Sequence, residues 1–360
     1  MTGDSIERPP NPLLDAVNPN VARSMRELID GALRTQVIYV LAKLGVADQL
    51  SLGPESAEAL AQRLAVHPDR LRRVLRFAAT LGALRELDDK RFELTPGGEY
   101  LQTAHPRSLR PSAIRAGEGF WSVVTHLLDA VRTGQTPHDE LHQQAFFERL
   151  TARDGDAAFG TRMGGSAGDL ARKVATLDCV ARARVIVDVG GGNGTVLATL
   201  LTARPQLHGV LLDVPAALEV AGERLAAAGV RDRCTLVAGD FFEAIPSGGD
   251  VYLLSWILHD WDDERAQRVL HTCRDAGGES ASLLVAEIVM PGRAGPRDAA
   301  ALPTFDPFVV DLQMLLLTGG RERTEDEYRA LFATARYELT TVHAVQSIRG
   351  VSIFEATPVS

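Results

Sequence analysis

The segment Ser255-Trp256-Ile257-Leu258-His259-Asp260-Trp261-Asp262-Asp263-Glu264 leaves a short apolar run, Val251 to Ser255, of the kind that forms a buried strand. A histidine just beyond a strand end stands on the rim where open α/β sheets keep their chemistry. Imidazole, with an ordinary pKa of about 6.5, is mostly unprotonated at neutral pH and can take a proton from an acidic hydroxyl. A lone histidine is more often structural than catalytic, so this one needs partners. Upstream, Val185-Ile186-Val187-Asp188-Val189 runs into Gly190-Gly191-Gly192-Asn193-Gly194-Thr195. Glycines at a strand-to-helix turn allow positive φ and a close approach of backbone to ligand. The spacing is GxGxG; a dinucleotide turn prefers GxGxxG, and no Gly-Lys-Ser/Thr follows, which excludes a Walker loop. Asp213 ends the next strand about twenty residues later, where a carboxylate accepts both hydroxyls of a ribose. Its competing reading is a helix N-cap before Pro215. Asp240, after a third strand, is followed by Phe241 and Phe242, an acid for an adenine amine and an aromatic cover for its face. Those two rings read equally as plain core.

The elements around these residues fall into two textures. Residues 20 to 102 are mostly helical, with apolar stripes at Leu28, Ala32, Val37, Leu41 and Leu44 and at Leu60, Leu64, Leu71, Val74, Leu75 and Phe77. A hairpin pattern follows, Leu84 to Leu87 and Arg91 to Leu94 around Asp88-Asp89-Lys90, which together spell a winged helix-turn-helix. From Pro111 to Ala175 the pattern is helical and rich in Phe120, Trp121, His126, His142, Phe146, Phe147, Phe159 and Met163, which line a substrate pocket or form a core. After Val180, β-rich runs at Val185–Val189, Gly209–Asp213, Cys234–Gly239, Val251–Ser255 and Leu283–Glu287 alternate with helices, predicting a parallel sheet covered on both faces. Helices near Asp306 to Leu317 and Thr324 to Thr334 and strands near Tyr337 to His343 and Val351 to Glu355 complete the chain. The division expected is a flexible 1–19, a winged-helix domain 20–105, a helical linker with pocket residues 106–178, and a ligand-binding α/β domain 179–360.

Composition bounds the function. The chain has 360 residues, 45% hydrophobic and 24% charged, enough for about two ordinary globular domains. No apolar run reaches the roughly 18 to 20 residues of a membrane span, and no secretory pattern opens the chain, so no membrane role and a cytoplasmic location are expected. Cys179, Cys234 and Cys273 are widely spaced and read as reduced, packing thiols. A net charge of -9 argues against a general polyanion binder. The Arg70, Arg72, Arg73 and Arg76 helix sits where a winged-helix DNA reader places its recognition helix, but a solvated face explains it as well, and no nucleic-acid partner is expected. No His/Cys cluster has metal-ligand spacing, and the acids Asp260, Asp262 and Asp263 suit the start of a helix better than a metal.

The motifs Asp188 to Gly194, Leu212-Asp213-Val214-Pro215, Gly239-Asp240-Phe241-Phe242, Ile257-Leu258-His259-Asp260-Trp261, Ala286-Glu287 and Gly319-Gly320-Arg321-Glu322-Arg323-Thr324 together resemble the S-adenosylmethionine-dependent O-methyltransferases of the plant caffeate type and their bacterial natural-product relatives. The resemblance runs from about residue 20 to the end. It implies a Rossmann-like class I methyltransferase domain with a mostly parallel seven-stranded sheet, preceded by a winged-helix dimerisation domain that makes a homodimer. It implies S-adenosylmethionine as cofactor, leaving as S-adenosylhomocysteine, with no metal. Asp188, Gly190, Gly192, Gly194, Asp213, Asp240, Phe241 and Ser255 would hold that cofactor, although the family often has lysine or another polar residue where Ser255 stands. His259 would be the general base, with Glu287 and Glu322 holding its ring; the plain readings are a strand-end acid for Glu287 and a partner of Arg321 or Arg323 for Glu322. Candidate contacts for an aromatic small-molecule substrate, its phenolic hydroxyl methylated in secondary metabolism, are Phe120, Trp121, Phe146, Met163, Trp256, Asp260 and Met314.

Two other functions remain open at this point. Some bacterial relatives act by proximity without an effective base, and at least one performs hydroxylation, so a methyltransferase-like hydroxylase is one alternative. The other is a winged-helix DNA-binding regulator that senses a metabolite without catalysis.

Overall fold

The computed structural model describes residues 19–143, 146–147, 167–294, 306–346 and 350–359. Residues 1–18, almost all of the expected flexible terminus, and the pocket candidate Met163 lie outside them. The chain divides into two compact units, residues 1–125 and 126–360. The division falls inside the stretch 106–178 expected as a linker. The helices Arg110–Gly117 and Gly119–Val124 go with the first unit. Packing explains this: Arg110 Nε donates to the Ala42 carbonyl at 2.8 Å, and a Cβ on Gly117 would lie 2.1 Å from the Tyr39 ring.

The first unit is built on the helices Gly31–Leu44, Ala57–Leu64 and Pro68–Thr80 and the strands β1 (Glu55–Ser56), β2 (Leu84–Glu86) and β3 (Arg91–Leu94). The expected hairpin forms, and β1 adds a third strand in the order β1-β3-β2. Leu41, Leu60, Leu71, Leu75 and Phe92 are buried together. The apolar stripe does not stay inside along its whole length, because Leu28 is 73% exposed, with Met25, Ile29 and Leu33 exposed beside it on the helices Pro19–Ile29 and Gly31–Leu44. The arginine-rich helix is solvated, with Arg72 paired to Asp69 and Arg76 to Glu86.

In the second unit, strands β4 (Val185–Val189), β5 (His208–Asp213), β6 (Cys234–Ala238), β7 (Val251–Ser255), β8 (Ser282–Ile288), β9 (Tyr337–Ala344) and β10 (Val351–Pro358) form one sheet in the order β6-β5-β4-β7-β8-β10-β9. All neighbours are parallel except β10, which runs antiparallel to both β8 and β9. Alternation along β4 sends Ile186 into one apolar layer and Val187 and Val189 into the other, so both faces are covered. The expected strand positions agree with this sheet to within a few residues at their ends. The chain order reverses between β4 and β7, the switch point at which a crevice opens beyond the carboxyl ends of the strands. The glycine turn leaves β4 there, and the His259 segment leaves β7. Among the described residues no helix is long and apolar enough to cross a membrane, and Cys179, Cys234 and Cys273 are buried and free.

Candidate active site

At the end of β4 the backbone turns with φ of +69° at Gly190, +55° at Gly192 and +71° at Gly194 before entering the helix Thr195–Ala203. Conformation favours glycine at Gly190, Gly192 and Gly194, and space favours it at Gly191, where a Cβ would stand 2.7 Å from Asp188 Oδ2 and 2.9 Å from Leu211 Cγ. Asp213 is the brace of this turn: its Oδ2 accepts from the Gly192 amide at 2.8 Å and its Oδ1 from the Val214 amide at 2.7 Å. The helix-cap expectation for Asp213 is not met: the next helix, Pro215–Ala227, has Val214 at its N-cap with no side-chain cap bond, and the Asp213 carboxylate is spent on the glycine turn and on the amide beside it.

Several buried polar atoms around the turn have no partner among the described residues. Both carboxylate oxygens of Asp188, Nδ2 of Asn193 and Oγ of Ser255 are in this state. Asp188 is 1% exposed, and burial, with the Asp213 charge adding to it, pushes its carboxyl up to about 7. Unsatisfied buried groups cost on the order of 1 to 3 kcal/mol each, which suits a surface that completes its bonding on a polar ligand. Asn193 was not singled out in the sequence, although its place inside the glycine turn is the signal; its Oδ1 accepts from Thr195, leaving Nδ2 unused. Asp240 lies exposed and accepts from the Phe242 amide at 2.8 Å. Phe241 and Phe242 are half-buried and meet Trp261 at ring separations of 6.2 and 4.8 Å. Trp261 is therefore the centre of the aromatic wall, and it also meets Phe147 at 5.9 Å.

Beyond β7, Trp256 adopts φ of +54°, a left-handed conformation rare for a bulky side chain and common near functional sites. The chain then turns so that the amides of Ile257, Leu258 and His259 point at Glu287 Oε1, at 3.0, 2.8 and 3.4 Å. Glu287, at the end of β8, is fully buried, so its plain reading as a surface acid fails. The ring of His259 lies 2.7 Å through Nδ1 from Glu322 Oε1, 3.7 Å through Nδ1 from Glu287 Oε2 and 3.8 Å through Nε2 from Asp260 Oδ1. Glu322 is not the partner of either neighbouring arginine: Arg321 pairs with Asp263 and Glu327, and Arg323 with Asp263. A carboxylate accepts only, so Nδ1 carries a proton toward Glu322 and Nε2 is the atom left to exchange one.

Burial would lower the proton affinity of His259, but Glu287, Asp260 and Glu322 outweigh it and raise its pKa to about 10. The expectation of a neutral imidazole at neutral pH is corrected by this surrounding: an exposed histidine is no guide to one enclosed by acids. Burial pushes Glu287 up as well, and Asp260 up to about 6. His259, Glu287 and Glu322 also stand close enough to hold a metal ion, with ligand atoms within 4.8 Å of one another.

Of the pocket candidates, Phe146 is half-buried and packs on His138 and Phe147 at 5.2 Å each. Met314 is half-buried on the helix Pro307–Leu317, and Trp256 packs against the core beside the histidine turn. Phe120 and Trp121 are half-buried in the first unit, on Gly119–Val124.

The O-methyltransferase domain profile matches residues 124–338, and the O-methyltransferase dimerisation domain profile matches residues 26–104. The chain belongs to the O-methyltransferase family. This methyltransferase is 37% identical to a phenazine O-methyltransferase of Lysobacter antibioticus over 334 residues, 92% of this chain and 95% of the relative. It superimposes with a TM-score of 0.78 and 32% identity on an O-methyltransferase from neocarzinostatin biosynthesis, crystallised with S-adenosylmethionine and 2-hydroxy-5-methyl naphthoic acid, covering 91% of this chain and 96% of the other. An aclacinomycin 10-hydroxylase of Streptomyces purpurascens is 34% identical over 332 residues, 90% of this chain and 87% of the relative.

Proposed function

We propose that this enzyme transfers a methyl group from S-adenosylmethionine to a phenolic hydroxyl of an aromatic small molecule in the biosynthesis of a natural product, with His259 as general base. The observation that carries the reading is the buried imidazole whose Nδ1 is committed to Glu322 and whose Nε2 remains for the substrate. The family and the ligands named for the neocarzinostatin enzyme support the cofactor and the substrate class. Asp188, Asn193 and Ser255, with their unpartnered buried atoms, and the glycine turn at Gly190, Gly192 and Gly194 would hold the cofactor. Asp213 braces that turn, and Asp240 and Phe241 would border the adenine. When bound, S-adenosylmethionine supplies an electrophilic methyl group on a sulfonium.

The residues of the chain supply position and a base. A phenol has a pKa near 10, so an imidazole raised to about 10 takes its proton with little thermodynamic cost. The consequence is that most of the free enzyme holds imidazolium at neutral pH, and the base form grows as pH rises. Glu322 and Glu287 stabilise the imidazolium formed, and Asp260, Trp256, Phe146 and Met314 would border the substrate, with Phe120, Trp121 and Met163 as further candidates. A homodimer through the N-terminal domain would cover the exposed Met25, Leu28, Ile29 and Leu33. The cytoplasm fits three free thiols, and neither a nucleic acid nor a membrane partner enters the reading.

Thermal unfolding with S-adenosylhomocysteine and, separately, NADH tests the cofactor class. A ligand at about 100 times its dissociation constant adds roughly 2.7 kcal/mol to the native state. A shift with S-adenosylhomocysteine alone is expected, and a shift with NADH alone would overturn the reading.

A further inference from the structure

The turn that carries His259 is short and closes weakly on itself. Leu258–Asp260 form a single 3-10 turn, and its bonds, from Asp260 N to the Ile257 carbonyl and from Trp261 N to the Leu258 carbonyl, are both 3.3 Å. Such bonds do not by themselves hold a side chain to a fraction of an ångström. The turn is pinned from outside. Glu287 collects its amides on one side, and the segment 320–323 holds its carbonyls on the other.

Arg323 is the centre of that second hold. Its Nη1 donates to the Leu258 carbonyl and its Nη2 to the Trp261 carbonyl, both at 2.9 Å, bracketing His259 in the chain. Its Nε and Nη2 donate to Asp263 Oδ1 at 2.9 and 2.8 Å, at the first residue of the helix Asp263–Gly277, and Nη1 lies 3.4 Å from the Arg321 carbonyl. The Arg323 side chain is 1% exposed, whereas that of Asp263 is 53% exposed, so the guanidinium is anchored from the surface and spends its donors in the interior. The planar fork of arginine fixes several acceptors at once, which the single ammonium of lysine cannot do. The neighbouring residues lock the same turn: the Arg321 amide donates to the His259 carbonyl at 2.9 Å, and Glu322 takes the ring.

We propose that Arg323 is a positioning residue for methyl transfer, its guanidinium locking the backbone on both sides of His259 so that the ring stays seated on Glu322. One segment thus delivers the partner of the imidazole at one residue and the clamp on its backbone at the next. This rests on the reading of His259 as the base.

The test compares Arg323→Lys, Asp263→Asn, His259→Ala and the double variant His259→Ala/Arg323→Lys in the full chain. The readouts are kcat and KM for a phenolic substrate, S-adenosylhomocysteine affinity by calorimetry, and the His259 ring nitrogens by NMR. A displacement of about 1 Å at a reacting group costs on the order of 100-fold, so Arg323→Lys is expected to lower kcat about that much. KM and cofactor affinity stay near their starting values, and the His259 ring signals shift. Asp263→Asn, which leaves the guanidinium in place and weakens its anchor together with the exposed Arg321 pairing, gives the same signature more weakly and covers the case in which Arg323→Lys does not fold. The double variant turns over no more slowly than His259→Ala, because both changes act on one group. Normal kcat in Arg323→Lys beside a crippled His259→Ala overturns this proposal alone, as does a further large loss in the double variant. Normal kcat in His259→Ala overturns the base reading and this proposal with it. If Arg323→Lys does not fold, unchanged kcat and ring signals in Asp263→Asn overturn it.

Discussion

Nδ1 of His259 stands 2.7 Å from Oε1 of Glu322, although the two residues are 63 positions apart in the chain. The pair fixes the tautomer of the ring and directs Nε2 away from the acid that holds it. It also loads the imidazole with proton affinity, because Glu287 and Asp260 stand on the same ring.

Glu322→Gln keeps a hydrogen-bond acceptor and removes a charge. An opposite charge within about 4 to 6 Å commonly moves a pKa by about 1 to 3 units, so the neutral imidazole of the variant persists to lower pH. In the native enzyme kcat/KM is expected to climb with pH as His259, raised to about 10, loses its proton. The ascending limb in Glu322→Gln should sit lower by at least a unit or so. Rates from pH 6 to 10 on one substrate check this, and an unmoved limb would remove Glu322 from the control of the base.

Asp188 makes stability depend on pH in a defined direction. Its folded pKa, about 7, lies above the unfolded value of about 3.9, so the native state prefers the protonated form. The stabilisation is fully present below pH 4 and is lost as pH rises through 7. Asp188→Asn mimics the protonated acid and should therefore stabilise the chain at pH 8 by a few kcal/mol, with little change at pH 4. Urea unfolding at the two pH values measures the difference, and calorimetry should show weakened S-adenosylhomocysteine binding in the same variant.

Gly320 packs directly against the backbone of the histidine turn, with no room for a side chain. A Cβ there would lie 2.1 Å from the His259 carbonyl oxygen and 2.4 Å from the Asp260 carbonyl carbon, both backbone atoms that cannot swing aside. Gly320→Ala is expected to cost about 1 to 3 kcal/mol of stability and to depress kcat more than KM. Chemical denaturation and steady-state rates on the same preparation separate the two effects.

The three ligand atoms of His259, Glu287 and Glu322 that lie within 4.8 Å of one another invite a metal, but the Nδ1 proton shared with Glu322 accounts for the cluster without one. Dialysis against a chelator should leave turnover unchanged, and added zinc should not raise it. Loss of activity restored by one divalent metal would reassign the cluster.

The sheet was legible in the sequence because β4 and β7 are short, mostly apolar runs buried on both faces, broken in β4 only by Asp188, and because the glycine turn punctuates the first of them. His259 was legible for the same reason, as the first titratable group past the end of β7. What escaped depends on groups distant in the chain. Glu322 was named through the resemblance, but Arg321 and Arg323 beside it offered a plainer partner, and only the fold shows that both turn to Asp263. The left-handed backbone of Trp256 comes just before three amides that turn onto Glu287, a partner on β8 and not among its own neighbours. The raised proton affinity of His259 is not legible in the sequence, because a reference pKa describes an exposed ring, whereas this one shares its burial with three acids. Leu28 lies on a stripe that continues past the core of its own unit, where periodicity cannot tell a core from a surface that another chain would cover.

The most direct measurement is the rate of methyl transfer to a phenolic substrate by His259→Ala under saturating S-adenosylmethionine, with S-adenosylhomocysteine affinity measured alongside. A positioned base contributes on the order of 100- to 10,000-fold, so kcat should fall within that range while cofactor affinity holds. Turnover equal to that of the native enzyme would contradict the account.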